Sequence, residues 1–234
     1  MQSTPLNSSQ TIQTLFNNIA HSFQLHADPH VASGQQAYLR DQFLFYGLKM
    51  PTWRKLSQQL IKNHPPLAES DLISLVQYCY QSPYRELHYF SLQLIEKHIH
   101  QLSPSFLSTL EQLILSNSWW DTVDWISKLV GIHFKRYPNL IHPTTDRWIQ
   151  SNQLWLQRVC LLFQLHYKFD TNAKLLFQLI TQVSSSDQFF LQKASGWALR
   201  QYSKVNPEAV TSFVNSSTLS NLTRKEALRL INKP

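Results

Sequence analysis

Glycine is almost absent from this chain, with four residues in 234. Gly-rich phosphate loops and runs of tight β-hairpins both need more of it, so neither fits the composition. Cysteine is equally scarce. Cys79 and Cys160 stand inside apolar stretches, Tyr78-Cys79-Tyr80 and Val159-Cys160-Leu161, as buried reduced thiols do, and they supply no disulfide framework. The ten histidines are scattered, with no His-Glu-x-x-His and no paired-cysteine spacing, so no metal site and no cofactor is expected. Apolar runs of the ~18 residues needed to cross a bilayer are missing, as is a charged-then-apolar leader at the N-terminus. The expectation is a cytoplasmic protein with no membrane partner.

What is present is apolar residue in helical rhythm. Hydrophobic residues make up 43% and run the whole length, enough to build a core throughout. Charge is spread less evenly. Residues 1–117 carry seven Lys/Arg against seven Asp/Glu, whereas residues 118–234 carry fourteen against seven. The whole net charge of +7 therefore lies in the second half, where a face that binds a polyanion would need it.

The periodicity reads as helix almost everywhere. Leu87, Phe90, Leu94 and Ile95 follow helical spacing, and Ser82 before Pro83 predicts an N-cap followed by Pro in the first turn. The same logic predicts helix starts at Asn152, before Trp155-Leu156, and at Ser186 or Asp187, before Phe189-Phe190. Residues 1–12, rich in Ser, Thr and Gln, read as a candidate disordered segment, and residues 13–234 as a single domain.

Overlaying these segments exposes a repeat. Trp120, Trp155 and Phe190 are 35 positions apart, Arg85 lies 35 before Trp120, and Met50 lies 35 before Arg85. The neighbours also correspond: Leu156-Gln157-Arg158-Val159 overlays Leu191-Gln192-Lys193-Ala194. Near the C-terminus, Thr223-Arg224-Lys225-Glu226-Ala227 opens a last helix close to the same phase. Two helices per unit at this period predict an all-α superhelical solenoid whose curvature makes a concave face. Trp120, Asp124, Trp155, Arg158, Phe190, Lys193 and Trp197 then fall on or near one strip, with Lys193 a candidate contact to a polyanion. Trp125, Trp148, Phe163 and Phe177 read as core.

Trp120 and Asp124 are four apart and share a helical face. Packing does not call for a carboxylate beside an indole, because buried Asp is costly unless paired. Spacing alone leaves bland explanations standing: Asp121 as a helix cap, and Asp124 as the partner of Arg158 one repeat later. Of the two adjacent indoles, Trp120 is in register with Asp124, and Trp119 reads as packing. Trp197 stands in Gly196-Trp197-Ala198-Leu199-Arg200, where Gly196 permits close approach of a backbone or ligand.

Several segments, in order from about residue 36 to 231, resemble the AlkD family of DNA alkylation repair glycosylases. They are Phe45-Tyr46-Gly47-Leu48-Lys49-Met50-Pro51, Trp119-Trp120-Asp121-Thr122-Val123-Asp124, Trp155-Leu156-Gln157-Arg158, Phe189-Phe190-Leu191-Gln192-Lys193-Ala194, Gly196-Trp197-Ala198-Leu199-Arg200 and Asn206-Pro207-Glu208-Ala209-Val210. The resemblance implies HEAT-like repeats with a concave basic DNA-binding face. It implies hydrolysis of the N-glycosidic bond of cationic alkylated purines, such as 3-methyladenine and 7-methylguanine, in duplex DNA. It also implies recognition without extruding the base. On these positions the catalytic carboxylate falls on Asp124, and the indoles that bracket the damaged nucleotide fall on Trp120 and Trp197. An aromatic on the other side of the DNA contact falls on Tyr38, an arginine near the DNA backbone on Arg158, and further positions along the DNA on Phe189, Phe190 and Arg200. The expected protein is a monomeric, cofactor-independent base excision repair enzyme that associates with the nucleoid when bound to DNA. The alternative expectation is a non-catalytic HEAT-like module that binds DNA or protein.

Overall fold

The computed structural model describes residues 8–64 and 67–231. Among these residues the regular structure is helical, apart from one isolated parallel bridge between Leu44 and Tyr84. The chain divides into two compact units, Met1–Leu102 and Ser103–Pro234, where the unbroken repeat predicts a single domain. Residues 8–12 open the first helix, so the boundary expected at residue 12 falls inside an element. The remainder of that expected segment, residues 1–7, lies outside the described residues.

The first unit holds α1 (Ser8–Gln24), α2 (Pro29–Tyr38), α3 (Met50–Asn63), α4 (Glu69–Gln81) and α5 (Arg85–His98). Helix α4 packs on α1 and α5 around Phe23, Leu75, Val76 and Phe90, all at most 2% exposed. Asp28 caps α2 by accepting from the amides of His30 and Val31, with Pro29 at its first position. The loop between α2 and α3 is tied down from α5. The Glu86 carboxylate accepts from the amides of Tyr46 (3.0 Å), Gly47 (2.9 Å) and Leu48 (3.2 Å). Gly47 has φ +92°, and a Cβ there would lie 2.0 Å from the Asp28 carbonyl oxygen, so glycine alone fits.

The second unit holds α6 (Phe106–Leu115), α7 (Trp120–Arg136), α8 (Ile141–Ile149), α9 (Leu154–Leu162), α10 (Ala173–Gln182), α11 (Phe189–Tyr202), α12 (Pro207–Ser216) and α13 (Asn221–Ala227). Helix α7 packs on α9, α9 on α11 and α11 on α13, while α8 and α10 lie against α9 and α12 lies against α11 and α13. The core is apolar: Val123, Ile126, Val130, Phe134, Val159 and Leu199 are wholly buried. Trp148 and Phe163 join it as expected, whereas Trp125 and Phe177 are only half-buried, the latter stacked on Phe213 at 4.3 Å.

The 35-residue phase survives in three dimensions. Met50, Arg85 and Trp120 are the first residues of α3, α5 and α7, and Trp155 and Phe190 are the second residues of α9 and α11. Three of the predicted starts need correction. Helix α5 begins at Arg85 rather than at a Ser82 cap, because Tyr84 is extended in a bridge with Leu44 and the Arg85 amide donates to the Leu44 carbonyl. Ser82 instead ends α4. Asn152 takes a left-handed conformation (φ 55°), leaving Gln153 as the N-cap of α9, and Gln188 rather than Ser186 or Asp187 precedes α11. Asn206 and Pro207 do open α12 in the standard way, with the Asn206 side chain accepting from the Ala209 amide.

Candidate active site

Asp124 sits one turn into α7, on the same face as Trp120, the first residue of the helix. Its carboxylate is gripped from the next repeat. Arg158 Nε donates to Oδ1 at 2.8 Å and Nη2 to Oδ2 at 2.9 Å, a two-toothed pair that fixes the plane of the carboxylate. Arg158 Nη1 donates to the Phe190 carbonyl oxygen at 2.6 Å, in the first turn of α11. One guanidinium therefore joins α7, α9 and α11.

Burial is graded across the pair: the Arg158 side chain is 6% exposed and that of Asp124 is 20% exposed. Arg158 thus stands beneath the carboxylate with three of its five N–H groups engaged and little of its surface exposed. Asp124 keeps part of its surface open. Burial pushes the Asp124 carboxyl above the ordinary range, the hydrogen bonds and charge of Arg158 pull it back, and nearby Asp121 adds to the rise. Asp121 lies in the first turn of α7, and the residue before the helix, Trp119, makes no side-chain cap.

An aromatic cluster backs this pair. Trp119 meets Trp155 edge-on at 5.9 Å and Phe190 at 5.4 Å, Trp155 meets Phe190 at 5.0 Å, and Phe189 adds a further edge at 5.5 Å. The Trp119 indole N–H is buried without an acceptor, and its ring packs against Trp155 and Phe190. Phe190 belongs half to this cluster, while Phe189 is 55% exposed. Trp197 follows Phe190 by seven residues on α11, two turns further on and on nearly the same face.

Lys193 and Arg200 lie four residues before and three after Trp197. Both end on one carboxylate of α13: Lys193 Nζ to Glu226 Oε1 at 2.9 Å and Arg200 Nη1 to Glu226 Oε2 at 2.6 Å. Gly196 makes this closeness possible, since a Cβ there would come within 2.5 Å of Glu226 Cβ and 3.0 Å of the Thr223 carbonyl oxygen. Glu226 is the residue that sequence reasoning missed. Its place near the repeat phase was visible, but its two partners lie 33 and 26 residues earlier.

Trp120, Asp124, Arg158, Phe189, Phe190, Lys193, Trp197 and Arg200 all belong to the second unit, and hydrogen bonds or ring contacts link Asp124, Arg158, Phe190 and Phe189 directly. Tyr38 belongs to the first unit, where it ends α2 with 72% of its surface exposed. None of the eight lines the 280 Å³ cavity at the other end of α9 and α11, between Leu161, Leu165, Leu176 and Tyr202. Among the described residues no group of three or more His, Cys, Asp or Glu could hold a metal ion, and both cysteines are free and buried.

The fold is that of an all-α helical-repeat protein, and the comparisons name the family. The family profile for DNA alkylation repair enzymes matches residues 19–231, and the chain belongs to that family. It is similar in structure to a predicted DNA alkylation repair enzyme from Enterococcus faecalis, with 30% identity and a TM-score of 0.84 over 89% of this chain and 98% of that one. Comparison with curated proteins gives no match. Membership gives the protein a role in DNA repair, as an enzyme whose partner is DNA.

Proposed function

We propose that the protein is a DNA glycosylase that hydrolyses the N-glycosidic bond of cationic alkylated purines, 3-methyladenine and 7-methylguanine among them, in duplex DNA. The observation that carries this reading is the Asp124 carboxylate, held in a fixed plane by Arg158 one turn from Trp120 and still partly open. An alkylated purine that already bears a positive charge leaves readily, so no general acid is required. The sugar becomes oxocarbenium-like as the bond breaks. A carboxylate about 4 Å from that developing charge is worth up to about 4 kcal/mol at an effective dielectric near 20. The indole faces of Trp120 and Trp197 attract the cationic base by about 0.5–2 kcal/mol each. Asp124 also orients the attacking water.

The reading extends to base excision repair by a cytoplasmic monomer that needs no cofactor, and to recognition without base extrusion, in contrast to the pocket-capture scheme of most glycosylases.

One observation favours a non-catalytic binding module instead: Arg158 satisfies Asp124, as a purely structural pair would. A carboxylate has about four lone-pair sites, however, and Arg158 takes two of them, so acceptor capacity remains for water. Release of bases from duplex DNA decides between the readings. The glycosylase frees 7-methylguanine far faster than uncharged hypoxanthine. Equal rates would refute the charge-based mechanism, and no release of either base would leave the binding module.

A further inference from the structure

The excess positive charge of residues 118–234 suggests a face bristling with free cations, but the side chains around the candidate site are arranged otherwise. Each of the three cations that the sequence placed there is already paired: Arg158 with Asp124, and both Lys193 and Arg200 with Glu226. Three cations and two carboxylates leave a single net positive charge. The two pairs differ in kind. Arg158 is buried with Nε, Nη1 and Nη2 engaged, whereas Lys193 is 39% exposed and Arg200 gives Glu226 only Nη1. Glu226 itself is 14% exposed, behind its partners. Lys193 keeps two N–H groups and Arg200 keeps four for another acceptor.

Helix α13 is built to hold Glu226 in this position. Ser220 caps it by accepting from the Thr223 amide, Thr223 Oγ1 donates to the Gln192 carbonyl oxygen of α11, and the bare Cα of Gly196 lets Glu226 come close. The carboxylate is held below its usual range, first by the hydrogen bond from Lys193 and then by the charges of Lys193, Arg200 and Arg229, so it stays ionised near neutral pH.

We propose that Glu226 is an internal counter-anion that cancels one of the two positive charges of Lys193 and Arg200 in the free protein and so lowers the affinity for undamaged duplex. A phosphate reaching these cations must displace the carboxylate or bind with it in place, and either course weakens backbone binding at every sequence. Attraction between the indoles and a cationic base is untouched. The device loosens the hold on ordinary DNA, which a repair enzyme must leave quickly, and it rests on the DNA-directed reading above.

The test is a fluorescence-anisotropy titration of an undamaged duplex across a salt series, with the wild-type chain and Glu226→Gln. The variant keeps the shape of the side chain and one acceptor for Lys193. It is expected to bind roughly fivefold more tightly at low salt. The slope of log K against log salt is expected to steepen by about one, for the one phosphate newly neutralised. Adding Lys193→Gln and Arg200→Gln removes the gain. Binding that is unchanged or weaker, with an unchanged slope, overturns the proposal and marks Glu226 as a structural tie. If neither form binds duplex DNA, the DNA-directed reading falls as well. Thermal unfolding confirms that the variant is folded, and Glu226→Ala serves in the same titration if Gln is not tolerated.

Discussion

Arg158 of α9 holds both carboxylate oxygens of Asp124 in α7, across 34 residues or one turn of the repeat. Because Nη1 is spent on the Phe190 carbonyl, the guanidinium cannot swing away without breaking three hydrogen bonds. Arg158 is therefore a positioning residue for Asp124. It also controls the charge of that carboxylate: burial and Asp121 raise its pKa, and Arg158 is the opposing influence. The proposed mechanism needs the ionised form, which exists above the pKa, so Arg158→Gln should move the acidic limb of the 7-methylguanine release profile to higher pH. A pH–rate profile measured at saturating enzyme checks this. An acidic limb that stays in place would contradict the coupling.

On the proposed mechanism the indoles of Trp120 and Trp197 act on charge, so their removal should be felt selectively. Trp120→Ala and Trp197→Ala are each expected to slow release of cationic bases by about 3- to 30-fold. Trp→Phe at either position should retain part of the rate, since a phenyl face binds cations less strongly than indole. Single-turnover release from methylated duplex gives the numbers. A loss no smaller for Phe than for Ala would point to shape rather than charge.

Glu86 answers for stability in the first unit. Glu86→Ala leaves the amides of Tyr46, Gly47 and Leu48 buried without their acceptor. At about 1–3 kcal/mol per orphaned donor, the loss should be at least about 3 kcal/mol. Denaturant unfolding monitored by circular dichroism measures it, and Glu86→Gln, which keeps one carbonyl oxygen, should lose less.

Why these features escaped the sequence is instructive. The repeat was legible because helical periodicity is local and because Trp120, Trp155 and Phe190 recur in phase at helix starts. The site was legible in the same way for Trp120 and Asp124, four residues apart on one helix, and the Asp124–Arg158 pair was one of the alternatives that spacing left open. The start of α5 was not legible. Ser82-Pro83 satisfies the local rule for a cap, and the bridge to Leu44, 40 residues earlier, holds Tyr84 extended. Glu86 and Glu226 were hidden for that reason too: their partners lie 38–40 and 26–33 residues away, so no window on the sequence contains both ends.

Glu226 and Thr223 of α13 are what approach the bare Cα of Gly196. Gly196→Ala drives a methyl group against Glu226 Cβ and the Thr223 carbonyl. Overpacking of this kind costs about 1–3 kcal/mol. The melting temperature should fall accordingly, and α13 should exchange its amide hydrogens faster than in the wild-type chain. Unchanged exchange in α13 would mean that the contact between α11 and α13 is looser than described.

The central claim is that Asp124 performs chemistry and is not merely the partner of Arg158. Base release from methylated duplex DNA, measured for the wild-type chain and for Asp124→Asn alongside DNA binding, tests it most directly. Asparagine keeps the size and one acceptor but abolishes the negative charge, so release should fall by two or more orders of magnitude, the scale of about 3–4 kcal/mol, while binding persists. Full release by Asp124→Asn would contradict the account.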